Sequence, residues 1–476
     1  MPRGRRSKQL LKDLFVLPED TRRRLLNPTR MDRRRYLSVS SALLAGALAG
    51  CTAPATSHAE INASAQSTPA RQPDVDDDTL AELVAGTNTF ALDLFDELRT
   101  ADDAENLLVS PISATIALTM TYAGAGGTTR EQMREAVGYT LDDDQLHAAF
   151  NELQRTLSSR EKNFDEDDLP ADYDEGDDPV PFELSLVNAI WGQAGFPFRD
   201  EYRTTLENHY GGGLNQVDFV ENPDGIRKAI NAWIADQTDD RIEELLPAGS
   251  VSSQTVLVLT NAIYFMANWR HPFDEGQTEP AEFTALDGST STVQMMSQDV
   301  QVPAATVDGV QAVELPYVGG TTGMLIVAPP AGEFEAYERT FDVERLGRIV
   351  DALEPQRGYV NLPRFEFDSE FKLESSLEAL GMTDAFDPNA ADFSRMADLS
   401  ETGGNLFVDQ VYHDTYIAVD EQGTEAAAAT GSVVNFVSRP PTLLDADRPF
   451  LFVIRDRPTG TVLFTGHVVD ANAAQE

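Results

Sequence analysis

From Thr79 to about Asp470 the chain runs without a clear linker, interrupted only by an acidic insertion at 161–179, EKNFDEDDLPADYDEGDDP, that reads as a solvated loop. The residues on either side must therefore share one core, although they are of two kinds. Helical pieces occur at 129–137, 142–156, 224–237 and 371–380. Strand-like pieces occur at 184–191, 255–266, 323–327, 359–362, 406–411, 451–454 and 462–469. Helices concentrate early and strands late, in mixed order. This favours an α+β fold with a large, mostly antiparallel sheet over a parallel doubly wound one. A single domain over 79–471 is expected. Its first helix would open on a capping box between Thr79 and Glu82 and turn Leu80, Leu83, Val84, Phe90, Leu94, Phe95 and Leu98 to the core.

Upstream, MDRRRYLSVSSALLAGALAGC has the order of an export signal over 31–50: a basic start, an apolar stretch and a small-residue end. Arg33 and Arg34 fit a twin-arginine pattern. Leu48-Ala49-Gly50-Cys51 looks like a lipobox, in which Cys51 would carry the lipid and become the mature N-terminus. Residues 51–78, rich in Ala, Ser, Thr, Pro and Asp, read as a flexible tether. The extension 1–30 does not belong to such a signal, so either the true start is Met31 or the signal is unusually extended. The expected location is extracellular, on the cell surface, held to the membrane by a lipid at Cys51. One lipid chain anchors weakly.

Asp and Glu number 79 against 36 Lys and Arg, a formal charge of −43, and the acids are spread along the chain. Such a field repels nucleic acid, anionic membrane surfaces and heparin-like polyanions. Hydrophobic residues are still 41%, enough for a substantial core. Many carboxylates and few lysines over a normal core suit a salt-loving, haloarchaeal-like source. In molar salt the Debye length shrinks to about 3 Å and self-repulsion is screened.

The motifs of common hydrolases are missing. There is no G-x-S-x-G, P-loop or H-E-x-x-H, and the six histidines show no metal-ligand spacing. With Cys51 as the sole cysteine, cysteine catalysis is excluded. An enzyme is not expected, nor is a cofactor or metal.

The stretch DEQGTEAAAATGSVVNFVSRPPT, 420–442, is undecided between helix, strand and loop. Four alanines favour helix, but Gly423 and Gly431 bracket them too closely for a helix to stand alone. Read as a strand in reserve, it fits. No proline lies between Gly423 and Phe436. Alternate residues from Thr424 (Ala426, Ala428, Thr430, Ser432, Val434) are small or β-branched, and none is charged. A surface loop with an alanine run, or a frayed helix, is the alternative reading of this stretch by itself.

VYHDTYIAVDEQGTEAAAATG, 411–431, resembles the serpin signature. NLLVSPISATIALTMTYAGAGGTTREQM from Asn106, NAIYFMANWRHPFD from Asn261, LPRFEF from Leu362, LGMTDAF from Leu380, DRPFLFVIRD from Asp447 and LFTGHVVD from Leu463 are similar to serpin segments, in family order. The resemblance covers nearly all of 79–470. It implies a serpin fold with further sheets, about eight to nine helices and an exposed reactive-centre loop within 420–442. It implies an inhibitor rather than a catalyst. A target protease cuts the loop and forms an acyl-enzyme, and the loop inserts into the sheet and traps it.

The hinge would be Glu421, Gly423, Thr424, Ala426, Ala428 and Thr430. Counting from Gly423 in the family manner puts the bait at Val437–Ser438, suited to an elastase-like or subtilisin-like serine protease. Phe436 and Arg439 are the alternatives, although Pro440 follows Arg439. The segment 439–448 is about a residue longer than the family norm, which loosens that register. A cysteine protease is the other partner class, and a monomer is expected. Ser110, Ser113, Asn261 and His413 resemble the polar cluster that lets the sheet open, and Trp269 would pack where insertion begins. The rival readings are a non-inhibitory serpin acting as a binding or carrier lipoprotein, and a solute-binding lipoprotein.

Overall fold

In the computed structural model the described residues are 74–101, 106–160, 182–211, 214–238, 240–402, 404–424 and 440–475. In chain order the helices are α1 Asp77–Ala101, α2 Pro111–Tyr122, α3 Gly127–Ala136, α4 Asp143–Ser158, α5 Asp200–His209, α6 Pro223–Gln237, α7 Phe334–Glu338, α8 Val343–Ala352, α9 Glu374–Ala379 and α10 Thr383–Phe386. The strands are β1 Leu107–Val109, β2 Phe182–Gln193, β3 Leu214–Val217, β4 Leu257–Asn268, β5 Glu279–Thr284, β6 Thr290–Val307, β7 Val310–Pro316, β8 Thr322–Ala328, β9 Glu354–Pro363, β10 Phe365–Lys372, β11 Tyr412–Val419, β12 Gly423–Thr424, β13 Thr442–Asp445, β14 Phe450–Asp456 and β15 Val462–Val468.

Two sheets result. One has six strands in the order β10-β11-β12-β4-β2-β3. The other has nine, along β1-β15-β14-β8-β7-β6-β9-β13 with β5 paired to β6. Their facing sides share one core, in which the rings of Phe265 and Phe464 lie 5.7 Å apart and those of Phe365 and Phe452 5.5 Å apart. A second core lies on the other side of the six-stranded sheet. There Trp191, Val258 and Ala262 meet Ile226, Ile230 and Ile234 of α6 and Leu245 and Leu246 beyond it. Covered on both sides, β2 and β4 are apolar along most of their length rather than alternating. They pair antiparallel from Phe182 opposite Ala267 to Gly192 opposite Leu257. The edge strand β10 carries Glu366, Asp368, Glu370 and Lys372, charges that discourage further pairing at that edge.

α2 is buried throughout and passes beneath β2 and β4. Pro111 suits its first position, where no amide donor is missed. Its buried threonines find acceptors on the helix itself: Thr115 donates to Pro111 O at 2.7 Å and Thr121 to Ala117 O at 2.9 Å.

The structure departs from the sequence reading at several points. α1 begins at Asp77, before the expected capping box, because the Asp76 carboxylate accepts from the Thr79 amide at 2.8 Å. Ten α-helices stand among the described residues, more than the eight to nine expected; α7 and α10 are only 5 and 4 residues long. The 371–380 piece is split, with Phe371 in β10 and the helix confined to α9. Residues 406–411 make no ladder. The Val408 amide donates to Ala385 O, Leu406 and Val408 are buried, and the strand starts at Tyr412. The reactive loop is expected to be exposed, but its root is not: Gly423 and Thr424 are buried as β12.

Candidate functional site

The six-stranded sheet divides along the line between β4 and β11. At one end these strands pair in parallel, Tyr412 opposite Thr260, His413 opposite Asn261 and Asp414 opposite Ala262. Beyond that clamp, 263–266 and 415–418 share no ladder pair. At the other end β12 enters between them, with Gly423 opposite Asn268, Thr424 opposite Ala267, and Val419 opposite Thr424.

A turn feeds β12 into this place. Asp420 accepts from the amides of Gln422 at 2.8 Å and Gly423 at 3.1 Å, and its own amide donates to Gly423 O at 2.9 Å. A Cβ at residue 423 would stand 2.1 Å from Ala267 O, so only glycine fits there. The Thr424 hydroxyl lies 2.8 Å from Tyr317 Oη, and Tyr317 stacks on Trp269 with centroids 4.5 Å apart and planes 9° apart. Trp269 ties the turn down twice, from Nε1 to Asp420 O at 2.9 Å and from its amide to Gln422 O at 2.7 Å.

Glu421 is buried beside the turn. Arg364 donates to its Oε1 from Nε at 2.9 Å and Nη2 at 2.6 Å, and Thr278 Oγ1 donates to the same oxygen. Burial pushes the carboxyl up, but the Arg364 and Thr278 hydrogen bonds outweigh it and hold Glu421 below its ordinary value.

Beneath the clamp the four polar residues named from sequence come together. His413 Nε2 accepts from the Ser110 amide at 3.1 Å, so Nδ1 carries the proton and donates to Asn261 Oδ1 at 2.7 Å. Asn261 Nδ2 donates to Ser113 Oγ at 2.7 Å. Ser110 takes part through its backbone, its hydroxyl donating to Leu463 O at 2.8 Å. Burial lowers the His413 pKa to about 4, which keeps the ring neutral. The sequence reading missed Asn188 of β2, whose Oδ1 accepts from Asn261 Nδ2 at 2.5 Å. An asparagine inside the apolar run LSLVNAIW was the available sign.

Several residues named from sequence lie outside the described residues: Ala426, Ala428, Thr430, Phe436, Val437, Ser438, Arg439, Cys51, Arg33 and Arg34. Among the described residues no group of His, Cys, Asp or Glu could hold a metal, and no helix is long and apolar enough to cross a membrane.

Fold and site together define a protein in which the root of one loop already lies as a strand inside the sheet that precedes it. The chain belongs to the serpin family: the family model described as Serpin (serine protease inhibitor) matches residues 85–471. An uncharacterized serpin-like protein of Thermococcus kodakarensis is 36% identical over 82% of this chain and 85% of its own length. The leukocyte elastase inhibitor of Bos taurus is 34% identical over 82% of this chain and 99% of its own. Among solved structures, the thermophilic serpin tengpin in its native state superposes with a TM-score of 0.71 at 25% identity, covering 85% of this chain and 97% of that one. Uncleaved ovalbumin gives 0.69 at 28% identity, covering 82% and 99%.

Proposed function

We propose that this chain is an extracellular, lipid-anchored inhibitor that traps a serine protease by inserting its cleaved loop between β4 and β11. The observation that carries this reading is the placement of Gly423 and Thr424 between those strands. Continuing the register of β12 sets residues 425–428 opposite 266–263, the part of β4 that shares no pair with β11. Four residues can therefore enter without breaking the clamp. The next three displace the Tyr412–Asp414 pairs and the His413–Asn261 bond.

At about 3.3 Å per residue, Val437 would finish about 43 Å from Thr424, beyond the far end of β4. Each new ladder bond contributes about 0.5–1.5 kcal/mol, and the small alternate residues from Thr424 onward can be buried without strain. The likeness to the bovine elastase inhibitor and the small apolar Val437 support an elastase-like or subtilisin-like target. The twin-arginine and lipobox patterns support export and anchoring at Cys51.

The test is incubation with pancreatic elastase and with subtilisin, followed by denaturing gels and mass spectrometry of the released peptide. A covalent adduct and a peptide beginning at Ser438 are expected. Cleavage without adduct would overturn the inhibitory reading and favour a binding or carrier role.

A further inference from the structure

Asp414 sits at the last of the three clamp pairs, where β4 and β11 begin to part. Glu370 of β10 is directly opposite it in the ladder, and Asp368 is opposite Tyr416 one pair-step along the same face. Directly opposed and diagonal neighbours bring side-chain roots to about 5 Å and about 7–8 Å, so the three carboxylates repel one another. A cavity of about 180 Å³ lies over Asp414 and Glu370, lined by Glu244, Leu245 and Pro247 together with these two, Tyr412 and Lys372.

That cover is built mainly on the other half of the sheet, with Tyr412 of β11 packed against its edge. Leu245 and Leu246 share the second core with Trp191, Val258 and Ala262. Arg227 and Asn231 of α6 donate to Leu246 O at 2.8 and 2.9 Å. β10 and β11, by contrast, are joined over eight pairs, from Phe365 opposite Val419 to Lys372 opposite Tyr412. Parting β11 from β4 therefore carries Asp414 out from under its cover and into water.

We propose that Asp414, set against Glu370 and Asp368, is a proton-operated latch: protonated Asp414 keeps β11 on β4, and its ionisation favours their parting. The idea rests on the reading of this sheet as one that opens. Half-buried under the cover, a bare Asp414 carboxylate loses part of its hydration and faces two others, whereas the neutral acid tolerates both. The remaining charges do not cancel this. Glu244 of the cover is held by Arg227 at 2.8 Å, and Arg241 lies over the Tyr416 ring at 5.4 Å. Lys372 lies over the Tyr412 ring at 5.9 Å. His413 is engaged with Ser110 and Asn261, and β4 sets Ala262 opposite Asp414, with Thr260 and Tyr264 next along the same face.

Burial first, then Glu370 and Asp368, push the Asp414 pKa up to about 7 in the closed sheet. With the closed-state value raised, this contribution to closure is full below the ordinary carboxylate range and is lost as pH rises through about 7.

Amide exchange of 260–266 and 412–418 in the uncleaved protein tests the latch, comparing wild type, Asp414→Asn and Glu370→Gln at the same pH. At pH 8 the Asp414→Asn protein should be protected at least about tenfold more than wild type, with the difference shrinking as pH falls toward about 4. Glu370→Gln, which relieves repulsion without touching Asp414 itself, should gain protection at pH 8 by about twofold or more. Equal protection of wild type and Asp414→Asn at pH 8 overturns the latch. If that variant does not fold, an unchanged Glu370→Gln protein does so. Failure to form a protease adduct leaves this readout intact, so the two ideas fail separately.

Discussion

Thr424 Oγ1 lies 2.8 Å from Tyr317 Oη, in a buried site roofed by the Trp269 ring. The contact joins Thr424, the last described residue of β12, to a side chain just beyond β7 and holds β12 in place. A guanidinium in the place of the Thr424 hydroxyl could neither ionise comfortably there nor pass between β4 and β11. Thr424→Arg is therefore expected to turn inhibitor into substrate, cutting the adduct yield about tenfold or more while cleavage continues. Tyr317→Phe keeps the stack but leaves one hydroxyl unpaired, which costs the seated hinge about 1 kcal/mol. Limited proteolysis should show the hinge of that variant cut several times faster, and an unchanged rate would remove Tyr317 from this role.

Glu421 anchors the turn before the hinge from a site that is 4% exposed at the side chain, against 42% for its partner Arg364. Because the arginine is half in water, the loss of the pair is expected to cost about 1–3 kcal/mol rather than the full penalty of a buried ion. Glu421→Lys adds repulsion from Arg364 and should lower stability by about that amount in urea titration. Arg364→Glu in the same chain should restore part of the loss. Equal destabilisation with and without the second change would mean that shape, not charge, matters here.

The expectation of a hinge rests on a local constraint, although beyond Thr424 its residues lie outside the described ones. A strand that must enter a finished sheet needs no proline and small alternate side chains, and both can be read from residues 423–436. Its partners were not legible. Tyr317 is 107 positions from Thr424, Arg364 is 57 from Glu421, and Asn188 is 73 from Asn261. No periodicity links such positions; only the folded sheet brings them together. The strand expected at 406–411 failed for a related reason. Its β-branched, apolar composition is real, but the Val408 amide is taken by Ala385 O, so pairing with β4 begins only at Tyr412.

His413 and His147 set the acid side of the stability profile. Burial lowers the first to about 4 and the second to about 3, the latter also through His209. Both rings are neutral in the fold, and the unfolded chain takes up protons first. Their contribution is full above about pH 6.5 and is lost as pH falls toward the folded values. The His413 share of that loss approaches about 3 kcal/mol near pH 4. Urea titrations at pH 7.5 and 4.5 should show this loss, and His413→Gln should flatten the slope at the expense of stability at pH 7.5. A slope unchanged in His413→Gln would place the acid sensitivity elsewhere, with His147→Gln as the next variant to measure.

Cleavage of the loop should stabilise the protein, an outcome contrary to what nicking does to most folds. In the uncleaved chain 263–266 of β4 and 415–418 of β11 share no ladder pair with each other, and the stretch after Thr424 is still joined to β13 in the chain, which keeps it from following β12 inward. Cutting at Val437–Ser438 frees one end. About seven further residues, 425–431, can then pair on both sides, each ladder bond contributing about 1 kcal/mol, against the loss of the three clamp pairs. For a chain of this length the gain should raise the melting temperature by about 10 °C or more. A catalytic amount of protease, removed before calorimetry, supplies the cleaved form. Thr424→Arg, cut at the same bond, should show only a small part of the rise. A cleaved wild type that melts no higher than the intact protein would mean that the freed strand stays outside the sheet.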